Sequence, residues 1–182
     1  MAEPAAAGDS PTGPLVVLIG PPAAGKTRVG KRVARILDAP FIDTDRVIVA
    51  QHGPIPAIFA EHGEAVFRQF EADAVAEALQ QRAVVSLGGG AVMTPSVAAA
   101  LASAPVVLLT INAEAAAERL DPETRPLVRE GIGAWVDLVA TRMPTYAALA
   151  VATWDTSSRP IDRIAEEIVE WTRERARSAG GL

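Results

Sequence analysis

Residues 20–27 are Gly-Pro-Pro-Ala-Ala-Gly-Lys-Thr, set between the apolar run Leu15-Val16-Val17-Leu18-Ile19 and a segment of helical period that begins at Lys26. This pattern, G-x-x-x-x-G-K-[S/T] between a strand and a helix, constrains the fold more than any other feature of the chain. It demands a loop that leaves the carboxyl end of a strand and enters the amino end of a helix. Successive backbone N–H groups and the helix N-terminus can then surround a polyphosphate, the lysine can reach its β- and γ-oxygens, and the threonine hydroxyl can ligate Mg²⁺. A chance match in an Ala- and Gly-rich chain is the competing reading, and both flanking elements argue against it. Lysine occurs only at positions 26 and 31, against 15 arginines, so a lysine kept at the motif's own position has a reason to be there. Gly20, Ala23, Ala24, Gly25, Lys26, Thr27 and Arg28 are therefore the candidate nucleotide-binding residues.

Downstream, short β-branched runs at 41–42, 84–87, 106–111 and 151–154 alternate with longer Ala-rich segments of helical period. With 15–19 they give five strands, each too apolar for one wet face, and hence an α/β fold with a five-stranded parallel sheet flanked by helices. Helices are expected over 26–37, 44–51, 64–81, 95–102, 113–120, 132–149 and 161–177, and Phe67, Phe70, Ala74 and Ala78 trace one face of the longest. Residues 120–133 carry Pro122, Pro126, Gly131 and Gly133 among charges without periodicity, and are expected to form a mobile loop. The length of 182 residues suits one domain over about 15–178 behind a disordered tail, 1–14.

Composition narrows the partners. A net charge of −5 supplies no global positive field for nucleic acid. The absence of cysteine removes disulfides, thiolate nucleophiles and cysteine metal sites, which leaves oxygen ligands for any metal. No run approaches a membrane span and the first 14 residues lack the layout of a signal peptide, so a cytoplasmic protein without a membrane partner is expected.

Asp43-Thr44-Asp45 follows the second strand, at the sheet edge where ligands of open α/β folds collect. Asp43 can hold Mg²⁺ through water or simply cap the next helix, and Asp45 can accept a proton or hydrogen bond from an attacking hydroxyl. Ser86-Leu87-Gly88-Gly89-Gly90 ends the third strand with more glycine than a turn requires, which implies close approach to the backbone, although a merely permissive turn remains open. Arg68, three residues before Glu71, reads most simply as half of a surface ion pair, and Arg142 as a cation at a helix C-terminus. Arg125 is either a solvated loop charge or a group that neutralises a transferring phosphoryl. His52 and His62 read as exposed loop histidines, and Trp135, Trp154 and Trp171 as core or subunit contacts; none of the five is assigned a function.

In order and approximate spacing, residues 20–27, Asp43-Thr44-Asp45, Phe67-Arg68, residues 86–90, Arg125-Pro126-Leu127 and Arg142-x-Pro-x-Tyr146 resemble the bacterial shikimate kinases over about 15–177. The resemblance implies a fold of nucleoside-monophosphate-kinase type, with a substrate-binding region around 45–80 and a lid around 120–131. It implies transfer of the ATP γ-phosphoryl group to the 3-hydroxyl of shikimate, giving shikimate 3-phosphate and ADP in chorismate and aromatic amino acid biosynthesis, by a monomer using Mg²⁺. In matching positions Lys26, Asp45 and Arg125 would be catalytic, Thr27 and Asp43 would serve Mg²⁺, and Arg119 would stack on adenine. Asp45, Arg68, Gly89, Gly90 and Arg142 would bind shikimate, the arginines gripping its carboxylate. Ala23 stands where the family usually has glycine, Arg28 where it usually has a small hydroxyl residue, and the lid is about one residue short. Two rivals remain, a gluconate-type kinase of the same fold and a nucleotide-binding module that has lost catalysis.

Overall fold

A computed structural model of the chain describes residues 13–120 and 132–179. Residues 1–12 of the expected tail over 1–14, Arg125 and the expected lid beyond Leu120 lie outside the described residues. The elements run β1 (Val16–Ile19), α1 (Lys26–Leu37), β2 (Phe41–Asp43), α2 (Thr44–His52), α3 (Ile55–Ala78), β3 (Val84–Ser86), a 3₁₀ turn (Ala91–Met93), α4 (Pro95–Leu101), β4 (Val106–Thr110), α5 (Ala113–Arg119), α6 (Ile132–Leu149), β5 (Ala152–Asp155) and α7 (Ile161–Ala179).

All pairings are parallel and the sheet order is β2-β3-β1-β4-β5, with Val17 opposite Val85 on one side and Val106 on the other. The apolar runs are explained by two covered faces. Along β1, Val16 and Leu18 point to a core shared with Val29 and Val33 of α1 and Ile164 and Ile168 of α7. Val17 and Ile19 point to the opposite core, with Val75 of α3, Leu101 of α4 and Tyr146 of α6. The chain passes from β1 to the far edge at β2 before returning to β3, so β1 is the switch point at which the order reverses and a crevice opens above the strand ends.

Four expectations are corrected. β5 lies at the edge and alternates half-buried Ala152 and Trp154 with exposed Thr153 and Asp155, so this strand does keep a wet face. The long helix stops at Ala78 rather than 81; its expected start at 64 coincides with Gly63, where φ 79 and ψ 175 leave helical space, and a further helical piece from Ile55 joins it across that bend. Arg142 does not end a helix, because α6 continues to Leu149 through Pro144; exposed Ala140, whose carbonyl loses its helical donor there, can bond water. His52 is the last residue of α2, stacked on Phe70 at 3.7 Å, and His62 lies within α3; both are exposed, but neither is in a loop.

Candidate functional site

The loop of residues 20–27 leaves β1 at the switch point and enters α1. Ala23 has φ 70, the left-handed region that a residue with a Cβ avoids at a cost of about 1–2 kcal/mol. The loop is held there from outside. Trp135 Nε1 at the start of α6 donates to the Pro22 carbonyl at 3.2 Å, Arg119 Nη1 at the end of α5 donates to Ala23 O at 3.5 Å, and the Thr156 hydroxyl after β5 lies 3.1 Å from Ala24 O. Three successive carbonyls thus face polar side chains from three other elements, and within the loop the Ala24 N–H donates to the Pro21 carbonyl at 3.3 Å. Arg119 is itself fixed by the Thr156 carbonyl at 2.6 Å. The Lys26 ammonium bonds the carbonyls of Gly20 and Pro21 at 2.8 and 3.0 Å, which places its charge over the loop.

Asp43 caps α2, one of its two sequence readings. Its Oδ1 accepts the Arg46 N–H as the N-cap of α2, while Oδ2 accepts the Thr27 hydroxyl at 2.8 Å. That second separation fits a shared Mg²⁺, since adjacent ligands of an octahedral ion with bonds of about 2.0–2.1 Å lie about 2.9 Å apart. Thr44, fully buried, ties the ends of β2 and β3 together: its hydroxyl lies 3.4 Å from the Ser86 carbonyl and accepts the Gly88 N–H at 3.3 Å.

None of Gly88, Gly89 and Gly90 has a positive φ, so the triple glycine is not explained by turn geometry. It is explained by crowding. A Cβ on Gly88 would lie 2.4 Å from Asp45 Oδ1 and 3.2 Å from Glu71 Oε1, and one on Gly90 would lie 2.9 Å from Arg68 Nη1. Gly89 is less confined, with Pro22 Cδ at 3.5 Å and Arg142 Nη1 at 3.7 Å, and its carbonyl accepts the hydroxyl of fully buried Tyr146. Two carboxylates and two guanidinium groups from α2, α3 and α6 therefore converge on one turn.

The Arg68–Glu71 pair is not the surface pair its spacing suggested. Arg68 Nη1 donates to Glu71 Oε2 at 2.7 Å, and the Glu71 side chain is only 2% exposed. Burial pushes the Glu71 carboxyl above its ordinary value, Arg68 draws it back, nearby Asp45 pushes it further and Arg142 opposes. Burial likewise raises the Tyr146 hydroxyl, against the pull of Arg142.

One cavity of about 400 Å³ joins Lys26, Thr27, Asp43, Asp45, Gly89 and Arg119 and is lined also by Ala23, Gly25 and Arg28, and Gly90, Arg68 and Arg142 meet at the turn beside it. Sequence reasoning missed Glu71, Thr44, Tyr146, Trp135 and Thr156. For Glu71 and Tyr146 a signal existed, because each stands at a short fixed spacing from a candidate arginine. Trp135 and Thr156 carry no local pattern that points to the loop they support.

Comparison with known proteins agrees with this geometry. The family model described as shikimate kinase matches residues 22–173. A shikimate kinase of Corynebacterium efficiens is 38% identical over 160 residues, covering 86% of this chain and 95% of its own, and one of Mycobacterium leprae is 41% identical over 161 residues, covering 86% and 81%. Among solved structures, the shikimate kinase of Acinetobacter baumannii in complex with shikimate superimposes with a TM-score of 0.83 at 30% identity, covering 90% of this chain and 94% of that one. A sheet of this order, a loop of this kind at its switch point and a family match across most of the length lead to one assignment: the chain belongs to the shikimate kinase family.

Proposed function

We propose that the protein transfers the γ-phosphoryl group of ATP to the 3-hydroxyl of shikimate, and that its own side chains divide the work as follows. The observation that carries this reading is the convergence of Asp45, Arg68 and Arg142 on the glycine turn beside the phosphate loop. A ring acid with neighbouring hydroxyls needs a carboxylate acceptor at one end and guanidinium forks at the other, and these three residues offer both. Asp45 would orient the acceptor hydroxyl and take its proton, Arg68 and Arg142 would grip the carboxylate, and the turn at Gly89 and Gly90 would contribute backbone donors. Glu71 would hold Arg68, and Tyr146 would hold the turn through the Gly89 carbonyl.

Lys26 and the loop N–H groups would bind the β- and γ-phosphates, with Arg28 and Arg119 along the rest of the nucleotide. Thr27 and Asp43 would hold Mg²⁺, which when bound neutralises phosphate charge. Phosphoryl transfer passes through a loose transition state in which positioning and charge neutralisation do most of the work, and Arg125 would supply a further positive charge to the transferring group. The test is ADP release from ATP and Mg²⁺ with shikimate, gluconate or no acceptor. Release should depend on shikimate; preference for gluconate, or release without any acceptor, would overturn the reading.

A further inference from the structure

We infer that the groove between α1 and the opening turn of α7 is a second anion site, one that takes a molecule bearing two or more phosphate groups while the phosphate loop is occupied. The groove is an open depression of about 600 Å³, lined by Arg28, Lys31, Arg32, Arg35, Ile161 and Asp162. The four cations fall at spacings of three, four and seven along α1 and so share one helix face, over about 10.5 Å at 1.5 Å per residue. The single acid in the lining is already engaged: Arg32 Nε lies 2.8 Å from Asp162 Oδ1, a contact that also pins α1 to α7. Among the described residues Arg28, Lys31 and Arg35 have no carboxylate partner, and all three are exposed.

Three uncompensated positive charges therefore line one concave wall of a chain whose net charge is −5. α1 contains no acidic residue, and its first turn carries Lys26 and Arg28 where the helix dipole favours negative charge. Lys26 and Arg28 are accounted for by the nucleotide. Lys31 and Arg35 lie one and two turns further along and are not among the residues lining the loop cavity. Among the described residues Ile161 is the only apolar residue lining the groove, and guanidinium forks spaced over two turns suit a chain or pair of phosphates.

Arg28 and Ile161 line both cavities, so the two sites adjoin and share a guanidinium. Occupants on either side compete for Arg28 and repel each other, so each should weaken the other by the same finite factor. The ligand could be a free phosphoanhydride or a nucleotide carrying an extra phosphate on its ribose, two sources of the same chemistry.

The experiment is calorimetric titration of the full chain at about 0.15 M salt, where loose surface attraction is screened. The phosphate loop is first saturated with a non-hydrolysable ATP analogue and excess Mg²⁺, and inorganic triphosphate or adenosine 3′,5′-bisphosphate is then added. One further site should fill with at least one of these probes, and which one fills it identifies the source. Lys31→Glu/Arg35→Glu should weaken that binding at least tenfold while leaving kcat without added anion within about twofold. In the parent protein the active probe should raise KM for ATP to a plateau, and the double variant should lose that effect. Absence of a second site for both probes, a KM that rises without limit, or binding unchanged in the double variant would each overturn the proposal.

Discussion

Replacing Arg68 by Met keeps an unbranched apolar stem and removes the guanidinium, together with its contact 5.3 Å over the Phe67 ring. It leaves a carboxyl with 2% of its side chain exposed next to Asp45, with Arg142 as the remaining positive charge that acts on it. Removing one partner from a fully buried pair costs about 3–5 kcal/mol; because Arg68 is 28% exposed and shared with Glu64, about 2–3 kcal/mol is expected at pH 8. The sign with pH follows from Glu71, whose folded pKa is already raised from the ordinary 4.5 and rises further without Arg68. A carboxyl raised in the folded state favours folding fully below its unfolded pKa, and that contribution is lost as pH rises through the folded value. The gap between parent and Arg68→Met should therefore be small near pH 5 and open towards pH 8. Urea unfolding at both values measures it, provided the dependence on denaturant is unchanged. Adding Glu71→Gln to the variant should restore most of the stability at pH 8 and flatten the pH dependence. A cost equal at both pH values, or a double variant no better than the single, would refute the account of Glu71 as a buried charge held by Arg68.

Gly88→Ala should cut turnover at least tenfold, because its methyl group meets Asp45 at 2.4 Å, whereas Gly89→Ala, with its nearest neighbour at 3.5 Å, should stay within a few fold; steady-state kinetics of the two variants decides. Asp45→Asn should lower kcat far more than it weakens ATP binding, and a loss confined to ATP and Mg²⁺ affinity would mean that Asp45 and Asp43 have exchanged roles. Ala23→Gly should raise thermal stability by no more than about 1.6 kcal/mol, since relief of left-handed strain (about 1–2 kcal/mol) is partly offset by the greater freedom glycine gives the unfolded chain (about 0.4–1 kcal/mol). A loss above about 2 kcal/mol would mean that the Ala23 methyl group makes packing contacts the loop depends on.

Features that depend on period and local order were legible in the sequence. β1 is apolar at every position because both its faces are covered, and the loop motif could be trusted because a strand and a helix flank it. Features created by distant segments were not. Glu71 looks like a surface residue along its own helix and becomes buried only because α3 lies against a turn 17 residues later. The bend at Gly63 falls where the long helix was expected to begin, and α6 runs through Pro144 over the expected 132–149. The triple glycine correctly signalled close approach, but not that carboxylate and guanidinium side chains of the same chain are what approach it.

The donors behind the phosphate loop bear on how this protein can change over generations. Arg119 and Trp135 stand at the two ends of the stretch that joins α5 to α6, and each is fastened to the loop on its own, through Ala23 and Pro22. The footing of that stretch is thus set by its ends and not by the number of residues between them. Closing a longer or shorter connection between fixed posts alters the free energy slowly, by about 0.6 kcal/mol per doubling of length. Insertions and deletions between the posts should be the cheapest length changes the catalytic half of the molecule can accept. A loss of Trp135 or Arg119 would be felt at the phosphates themselves.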